Sequence, residues 1–470
     1  VAFIFCLIIF DCVCIIVMVV TITGVIIMRF YNRTKELSLL TEMHKRATSE
    51  SKMTIVVGRR RVGKTRLLLQ SVQAESFLYF FVSRKSEALL CEEFVAELKA
   101  KLGIPVFGVI TRFREVFGLL MEAAKSRDFV LIIDEFQEFV HVNPAVYSEM
   151  QDIWDRNKDD THMHLILCGS VYALMKKIFE NAKEPLFGRA DRRIYVQPFS
   201  PATLIGLLQD HEAFSTHNFL TVYVLTGGVA RYVELLGNEN AFDLEKALEV
   251  ILDENSLFLD EGKNLLVEEF GKDYSVYFSI LSLIASSKTS RGQIESFLER
   301  NIAGYLDRLE HDYNMIKRVR PIFAKEGSKN QKYLIEDNFL NFWFRFIYKY
   351  RSAIEIGNFE YVKTIIRRDF STFAGPFLEK LFRYLLAETG DYSEIGSYWE
   401  RGNKNEVDIV AVNTLEKKLL LAEVKFSKKR LSHRQLPLKA RKLLQKLKGY
   451  EIEYKGFALE DLQEYMNIEV

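Results

Sequence analysis

Short runs of almost wholly apolar residues punctuate the first two hundred positions of the chain. Residues 53–57 (Met-Thr-Ile-Val-Val), 129–133 (Phe-Val-Leu-Ile-Ile) and 164–168 (His-Leu-Ile-Leu-Cys) are each five long and each ends on a glycine or an acid. That pattern predicts strands buried on both faces of a parallel sheet. Residues 194–197 make a shorter run of the same kind. Farther along, the spacing of apolar positions turns helical, over 219–252 and then over 274–286, 291–299 and 302–313. Two short runs, 316–322 and 332–335, flank a polar, Gly-containing turn and predict a hairpin. Residues 337–346 are aromatic at helical spacing, which suits core packing. An amphipathic helix follows over 377–386, then strands over 406–412 and 419–425.

A chain of 470 residues is too long for one core, so two to four domains are expected. Apolar residues make up 49% and charged residues 27%, a folded rather than a disordered composition. The net charge is only +1, yet residues 424–450 hold ten Lys or Arg and no acid. Such a block marks either a docked polyanion or a solvated helix face. The five cysteines show no zinc spacing and no disulfide framework, which points to a reducing, cytoplasmic compartment.

Residues 1–27 are nearly all apolar and long enough to span a bilayer. Asp11 sits near their middle, at a cost of roughly 2.5–3.5 kcal/mol for insertion. No basic residue precedes the run and no small-residue cleavage site follows it, unlike a signal peptide. Two readings stay open. The segment is a membrane anchor, with Arg29, Arg33 and Lys35 holding the rest in the cytoplasm, or translation starts at Met28.

The strand at 53–57 runs directly into Gly58, Arg59, Arg60, Arg61, Val62, Gly63, Lys64 and Thr65, and then into a helical pattern beginning at Arg66. This is the P-loop spacing in its strand–loop–helix context. The glycines let backbone N–H groups turn onto phosphates at a helix N-terminus. Lys64 is then expected on the β- and γ-phosphates of ATP and the Thr65 hydroxyl on Mg2+. The strand at 129–133 ends in Asp134 and Glu135. A strand-end carboxylate there holds the Mg2+ shell, and Glu135 is placed to polarise the attacking water.

Three further residues are candidates. Ser170 ends the strand at 164–168, where a polar group between the two motifs senses the γ-phosphate, although a helix N-cap explains it as well. Arg189 follows Pro-Leu-Phe-Gly and can neutralise transition-state charge, in cis or from a neighbouring subunit of a homo-oligomer. Arg231, after Gly227 and Gly228, opens a helix whose arginine can touch nucleotide.

Phe30-Tyr-Asn-Arg33, the P-loop, the Asp134–Gln137 run, Gly169-Ser170 and the Gly227-Gly228 helix together resemble prokaryotic archaeal-type AAA+ ATPases, the DEXX-box ATPases. Chains of that family begin near the equivalent of Met28. Ala230 departs from the family's usual proline, and residues before Met28 have no counterpart. The resemblance also implies a C-terminal domain of restriction-endonuclease-like pattern.

The C-terminal residues support that pattern on their own. Glu379 lies on a helix, Asp408 on one strand, and Glu423 and Lys425 two positions apart on the next, hence on one face. This is the PD-(D/E)xK arrangement. Asp408 and Glu423 are candidates to hold Mg2+ with Glu379 in support, and Lys425 to activate water against a phosphodiester. The basic segment 425–448 then serves DNA. A surface hairpin with charged ends would give the same residues.

The fold expected is α/β: an ASCE/AAA+-like P-loop ATPase core over 28–212, a helical lid over 213–265, a winged helix over 266–357, and a nuclease-like domain over 358–470. The function expected is Mg2+-dependent ATP hydrolysis coupled to a nucleic-acid-binding domain. The alternative is an ATP-dependent regulatory switch whose C-terminal domain binds partners without cutting. A P-loop kinase fits the Gly58–Thr65 loop but not the Asp134-Glu135 pair.

Overall fold

The structure, a computed structural model, describes residues 30–271, 274–325, 327–402, 404–432 and 435–466. The apolar segment 1–27 lies outside them, so the two readings of it are not addressed. Among the described residues no helix is long and apolar enough to cross a membrane.

Five parallel strands form the first sheet: β1 (Lys52–Val57), β2 (Phe77–Phe81), β3 (Phe129–Asp134), β4 (Met163–Gly169) and β5 (Arg192–Tyr195). Their order is β2-β3-β4-β1-β5. Strand β4 therefore separates β1 from β3, in register as Met53 beside Leu165 and Leu131 beside Leu165. Every residue of β3 and β4 is buried, as unbroken apolar runs require in a sheet covered on both faces. The covering helices are α1 (Thr34–Ala47), α2 (Lys64–Ser71), α3 (Glu87–Leu102), α4 (Phe113–Ala123), α5 (Phe139–Val142), α6 (Val146–Asn157) and α7 (Tyr172–Glu180). One face packs on Phe94, Phe117 and Trp154, the other on Leu40, Leu67 and Leu68.

Five helices follow: α8 (Pro201–Asp210), α9 (Thr216–Thr226), α10 (Ala230–Asn238), α11 (Leu244–Ile251) and α12 (Phe258–Phe270). Helix α8 begins on a Ser200 side-chain cap with Pro201 in its first turn. Its Leu204, Leu207 and Leu208 join the apolar cluster of the helical region rather than that of the sheet. Helix α8 thus buries its apolar face with α9, on the helical side.

Helices α13 (Tyr274–Ala285), α14 (Arg291–Leu298) and α15 (Ala303–His311) precede an antiparallel pair, β6 (Ile316–Val319) and β7 (Lys332–Ile335). The aromatic run becomes α16 (Asn338–Phe342) continuing into a π-helical turn, Trp343–Tyr348. Phe339, Phe342, Trp343 and Phe346 are buried in the same cluster as the α8–α12 helices.

After α17 (Arg351–Glu355), the 30-residue α18 (Phe359–Glu388) leads to a second sheet. Its strands are β8 (Glu394–Glu400), β9 (Lys404–Asn413), β10 (Lys418–Lys425) and β11 (Glu451–Ala458), in the order β11-β10-β9-β8. β9 is antiparallel to both β8 and β10, whereas β11 runs parallel to β10. The link from β10 to β11 carries the basic block on two short helices, α19 (Leu436–Lys439) and α20 (Arg441–Leu444).

Candidate functional site

The loop after β1 turns through two left-handed residues, Arg61 (φ 66°) and Gly63 (φ 94°), before α2 begins at Lys64. Gly63 carries its φ without strain; Arg61 does not, a local cost of about 1–3 kcal/mol typical of functional loops. Gly58 has a different constraint. A Cβ there would lie 2.7 Å from the Val196 carbonyl oxygen, so only glycine lets the loop pass β5. Lys64 is buried, and its ammonium donates to the Gly58 and Arg59 carbonyls at 2.8 and 3.1 Å. The lysine therefore spans the mouth of the loop, where phosphate oxygens would compete with those carbonyls.

Parallel pairing brings the ends of β1, β3 and β4 together. Thr65 Oγ1 donates to Asp134 Oδ2 at 2.9 Å, and Tyr79 Oη, from β2, donates to the same oxygen at 2.7 Å. Burial and the Asp134 carboxylate together raise the Tyr79 pKa, which fixes this hydroxyl as a donor. Glu135 adopts left-handed backbone (φ 53°), and its Oε2 accepts from Ser170 Oγ at 2.7 Å and Gln137 Nε2 at 2.5 Å. A cleft of about 510 Å³ opens here, lined by Lys64, Thr65, Asp134, Glu135, Phe30, Tyr31 and Phe199 among others. A hydroxyl and a carboxylate are hard oxygen donors of the kind Mg2+ takes, and the cleft beside them fits a nucleotide.

The other residues named from sequence divide. Arg60, Arg61, Val62, Gly63, Arg66 and Arg231 line the same cleft; Arg59 lines a neighbouring cavity of about 300 Å³ together with Gly58 and Ser170. Arg189 lies apart. Its guanidinium pairs with Asp155 at 2.7 Å and donates to the Pro185 carbonyl, which keeps it out of its own chain's cleft. The in-cis role expected for Arg189 is not what this arrangement allows. Tyr79, Phe199 and Leu257 were not legible as site residues, because only the sheet order and the lid place them there.

In the second sheet, Ile409 pairs with Ala422, which puts Asp408 beside Glu423. Asp408 Oδ2 accepts from the Val424 N–H at 2.8 Å and lies 3.5 Å from Lys425 Nζ. Glu423 Oε1 lies 3.2 Å from Lys425 Nζ and 3.6 Å from Lys439 Nζ. Against the effect of burial, Asp408 and Glu423 hold the Lys425 ammonium above its ordinary pKa. Burial and then the Asp408 charge push Glu379 up to about 7. Arg383, one turn along α18, donates to the Asp408 carbonyl at 2.8 Å and to Glu379 at 3.4 Å. Asp408, Glu423 and Lys425 thus meet, with one ammonium between two carboxylates, and Glu379 is tied to the Asp408 strand through Arg383. Among the described residues no three His, Cys, Asp or Glu side chains form a ready metal cage.

Of the basic block, Lys428 pairs with Asp461 and Lys442 with Glu400, each at 2.5 Å. These two are spoken for within the domain, and Lys439 is drawn to Glu423.

Residues 30–236 match a family described as an ATPase domain predominantly from Archaea. Residues 343–436 match a family described as archaeal and bacterial proteins of unknown function. An uncharacterized protein of Methanocaldococcus jannaschii is 28% identical over 407 residues, 84% of this chain and 87% of its own length. The Walker-type ATPase paby2304 of Pyrococcus abyssi superposes with a TM-score of 0.52 at 20% identity, over 67% of this chain and 96% of its own. That likeness establishes a parallel-sheet P-loop ATPase fold.

Proposed function

We propose that the chain is a Mg2+-dependent ATPase of the archaeal type whose nucleotide cycle acts on a C-terminal nucleic-acid-binding domain. The observation that carries the first half is the Thr65–Asp134 hydrogen bond beside the buried Lys64 ammonium. Thr65 and Asp134 would hold Mg2+, which supplies neutralisation of phosphate charge when bound. Lys64 and the loop N–H groups would bind the phosphates of ATP. Glu135 would orient water, with Ser170 and Gln137 fixing its carboxylate. Arg231 would approach the nucleotide from the lid, and Arg189 would act only on a neighbouring copy.

For the second half, residues 266–357 are read as a winged helix, from three helices and the β6–β7 pair. Residues 358–470 are read as a PD-(D/E)xK domain, from Glu379, Asp408, Glu423 and Lys425 on one helix and two adjacent strands. The residues present suit Mg2+ only once Lys425 withdraws from between Asp408 and Glu423. Within the 425–448 segment, Lys429 and Arg430, both exposed, would meet the DNA backbone. The test measures ATP hydrolysis and plasmid nicking together, with wild type, Glu135→Gln and Asp408→Asn. No hydrolysis by wild type, with or without DNA, removes the proposal.

One observation favours a second reading for the C-terminal domain. Two ammonium groups, of Lys425 and Lys439, already neutralise Glu423. A domain that binds DNA without cutting, as part of a regulatory switch, would keep them there. Nicking that is absent in wild type while DNA binding persists selects this reading.

A further inference from the structure

The P-loop carries three consecutive arginines, and each is paired with an acid from outside the sheet domain. Arg59 pairs with Asp337, the N-cap of α16; Arg60 with Glu268 on α12; and Arg61 with Glu261, also on α12, at 2.8 Å. Glu261 is buried and also accepts from Tyr232 Oη at 2.7 Å, while Arg59 stacks over the Tyr232 ring at 5.8 Å. A fourth carboxylate, Glu269, faces the same seam with its Oε2 buried and without a hydrogen-bond partner.

We propose that Asp337, Glu261 and Glu268 are positioning residues that hold the P-loop arginines toward the C-terminal half, so that ATP binding and release of this seam are one linked event. The inference rests on reading residues 58–65 as a phosphate cradle. Arg60 and Arg61 line the nucleotide cleft as well as the seam, so a triphosphate enters beside guanidinium groups already committed to carboxylates. It attracts the arginines and repels the four acids. Both effects favour parting of α12 and α16 from the loop. Burial raises Glu269 to about 7, against a backbone hydrogen bond from Tyr172 and the pull of Lys64 and Arg59. The seam continues to α18: Lys380, next to Glu379, donates to the Glu336 carbonyl at 3.2 Å and lies 3.6 Å from its carboxylate. Parting at the P-loop would therefore reach the helix that carries Glu379.

The test uses the full chain and a fluorescent ATP analogue with Mg2+. Glu268 is exposed, and Asp337→Asn keeps a side-chain cap for α16, so Glu268→Gln, Asp337→Asn and the double variant retain the fold. The double variant is expected to bind ATP about 5- to 50-fold more tightly than wild type. Hydrogen exchange in Phe258–Phe270 and Asn338–Phe342 is expected to rise when wild type binds ATP. Lys64→Ala serves as the separate control. Loss of binding in Lys64→Ala, with equal or weaker binding in the double variant and no change in exchange, overturns the seam while sparing the cradle. Wild-type binding by Lys64→Ala overturns the cradle and the seam with it.

Discussion

Thr65 and Asp134 are 69 positions apart in the chain, and their side chains meet at 2.9 Å because β4 sets the ends of β1 and β3 one strand apart. The hydroxyl occupies one coordination place of the carboxylate oxygen that would face a metal. Replacing Thr65 with Ala, or Asp134 with Asn, should weaken Mg2+-dependent nucleotide binding by roughly 10- to 100-fold. Titrating Mg2+ against bound ATP analogue measures it, and equal Mg2+ dependence in wild type and variants would refute the pairing's role.

Tyr79 supports that same oxygen from β2. Tyr79→Phe removes one hydroxyl and leaves the ring, so the sheet should persist. We expect about a tenfold rise in the Mg2+ concentration needed for half-maximal hydrolysis, with little change in kcat at saturation. A lowered kcat at saturating Mg2+ would instead place Tyr79 in the chemical step.

Glu135 is gripped by Ser170 and Gln137, so its orientation depends on two neighbours. Glu135→Gln should cut kcat by roughly 100- to 10,000-fold while leaving ATP affinity within a few-fold of wild type. Ser170→Ala should lower kcat by a smaller factor, about tenfold, since it removes one of two guides. Isothermal binding and single-turnover hydrolysis separate the two effects.

How much of this was legible beforehand follows from the range of the interactions involved. The P-loop, β1, β3 and the Asp134-Glu135 pair were written locally, in apolar runs that end on the chemistry. The strand pair bearing Asp408 and Glu423 was legible too, because a hairpin brings near neighbours together. For Arg189 the choice between its own chain's cleft and a neighbouring subunit was not legible, since nothing near it in sequence announces Asp155, on a helix over thirty residues earlier. The pairing of Arg59, Arg60 and Arg61 with acids some two to three hundred positions away depends on how two regions meet, and periodicity carries no such information. The side that α8 packs on was not legible for a plainer reason: an amphipathic helix does not declare which neighbour its apolar face will choose.

Beneath the first sheet, His44 and His164 share a 2.6 Å contact between their Nδ1 atoms, and His164 Nε2 meets Thr54 Oγ1 at 2.7 Å. Burial lowers His44 to about 4 and, with the His44 charge, lowers His164 as well. Their pKa values lie below those of the unfolded chain, so the unfolded state takes up more protons between pH 6.5 and 4. The stability these residues contribute is whole above about pH 6.5 and is lost as the pH falls toward 4, with the His44 share on the order of 2–4 kcal/mol. Urea midpoints measured at pH 7 and 5 should differ for wild type, and the difference should shrink in His44→Gln. An equal shift in both proteins would assign the acid sensitivity elsewhere.

Helix α18 gives one last consequence. Its first half lays Val362, Ile366 and Phe370 into the aromatic cluster of the helical region, and its second half lays Leu381 and Phe382 against Ile409, Leu420 and Phe457 of the second sheet. At 30 residues it is one continuous helix of roughly 45 Å, with Pro376 between the halves that serve its two tenants. The C-terminal sheet keeps a cluster of its own on one face, around Val410, Val412, Leu419 and Leu421. Its other face is covered only by the cluster it shares with the helical region, so melting the helical region should strip that face in the same thermal transition.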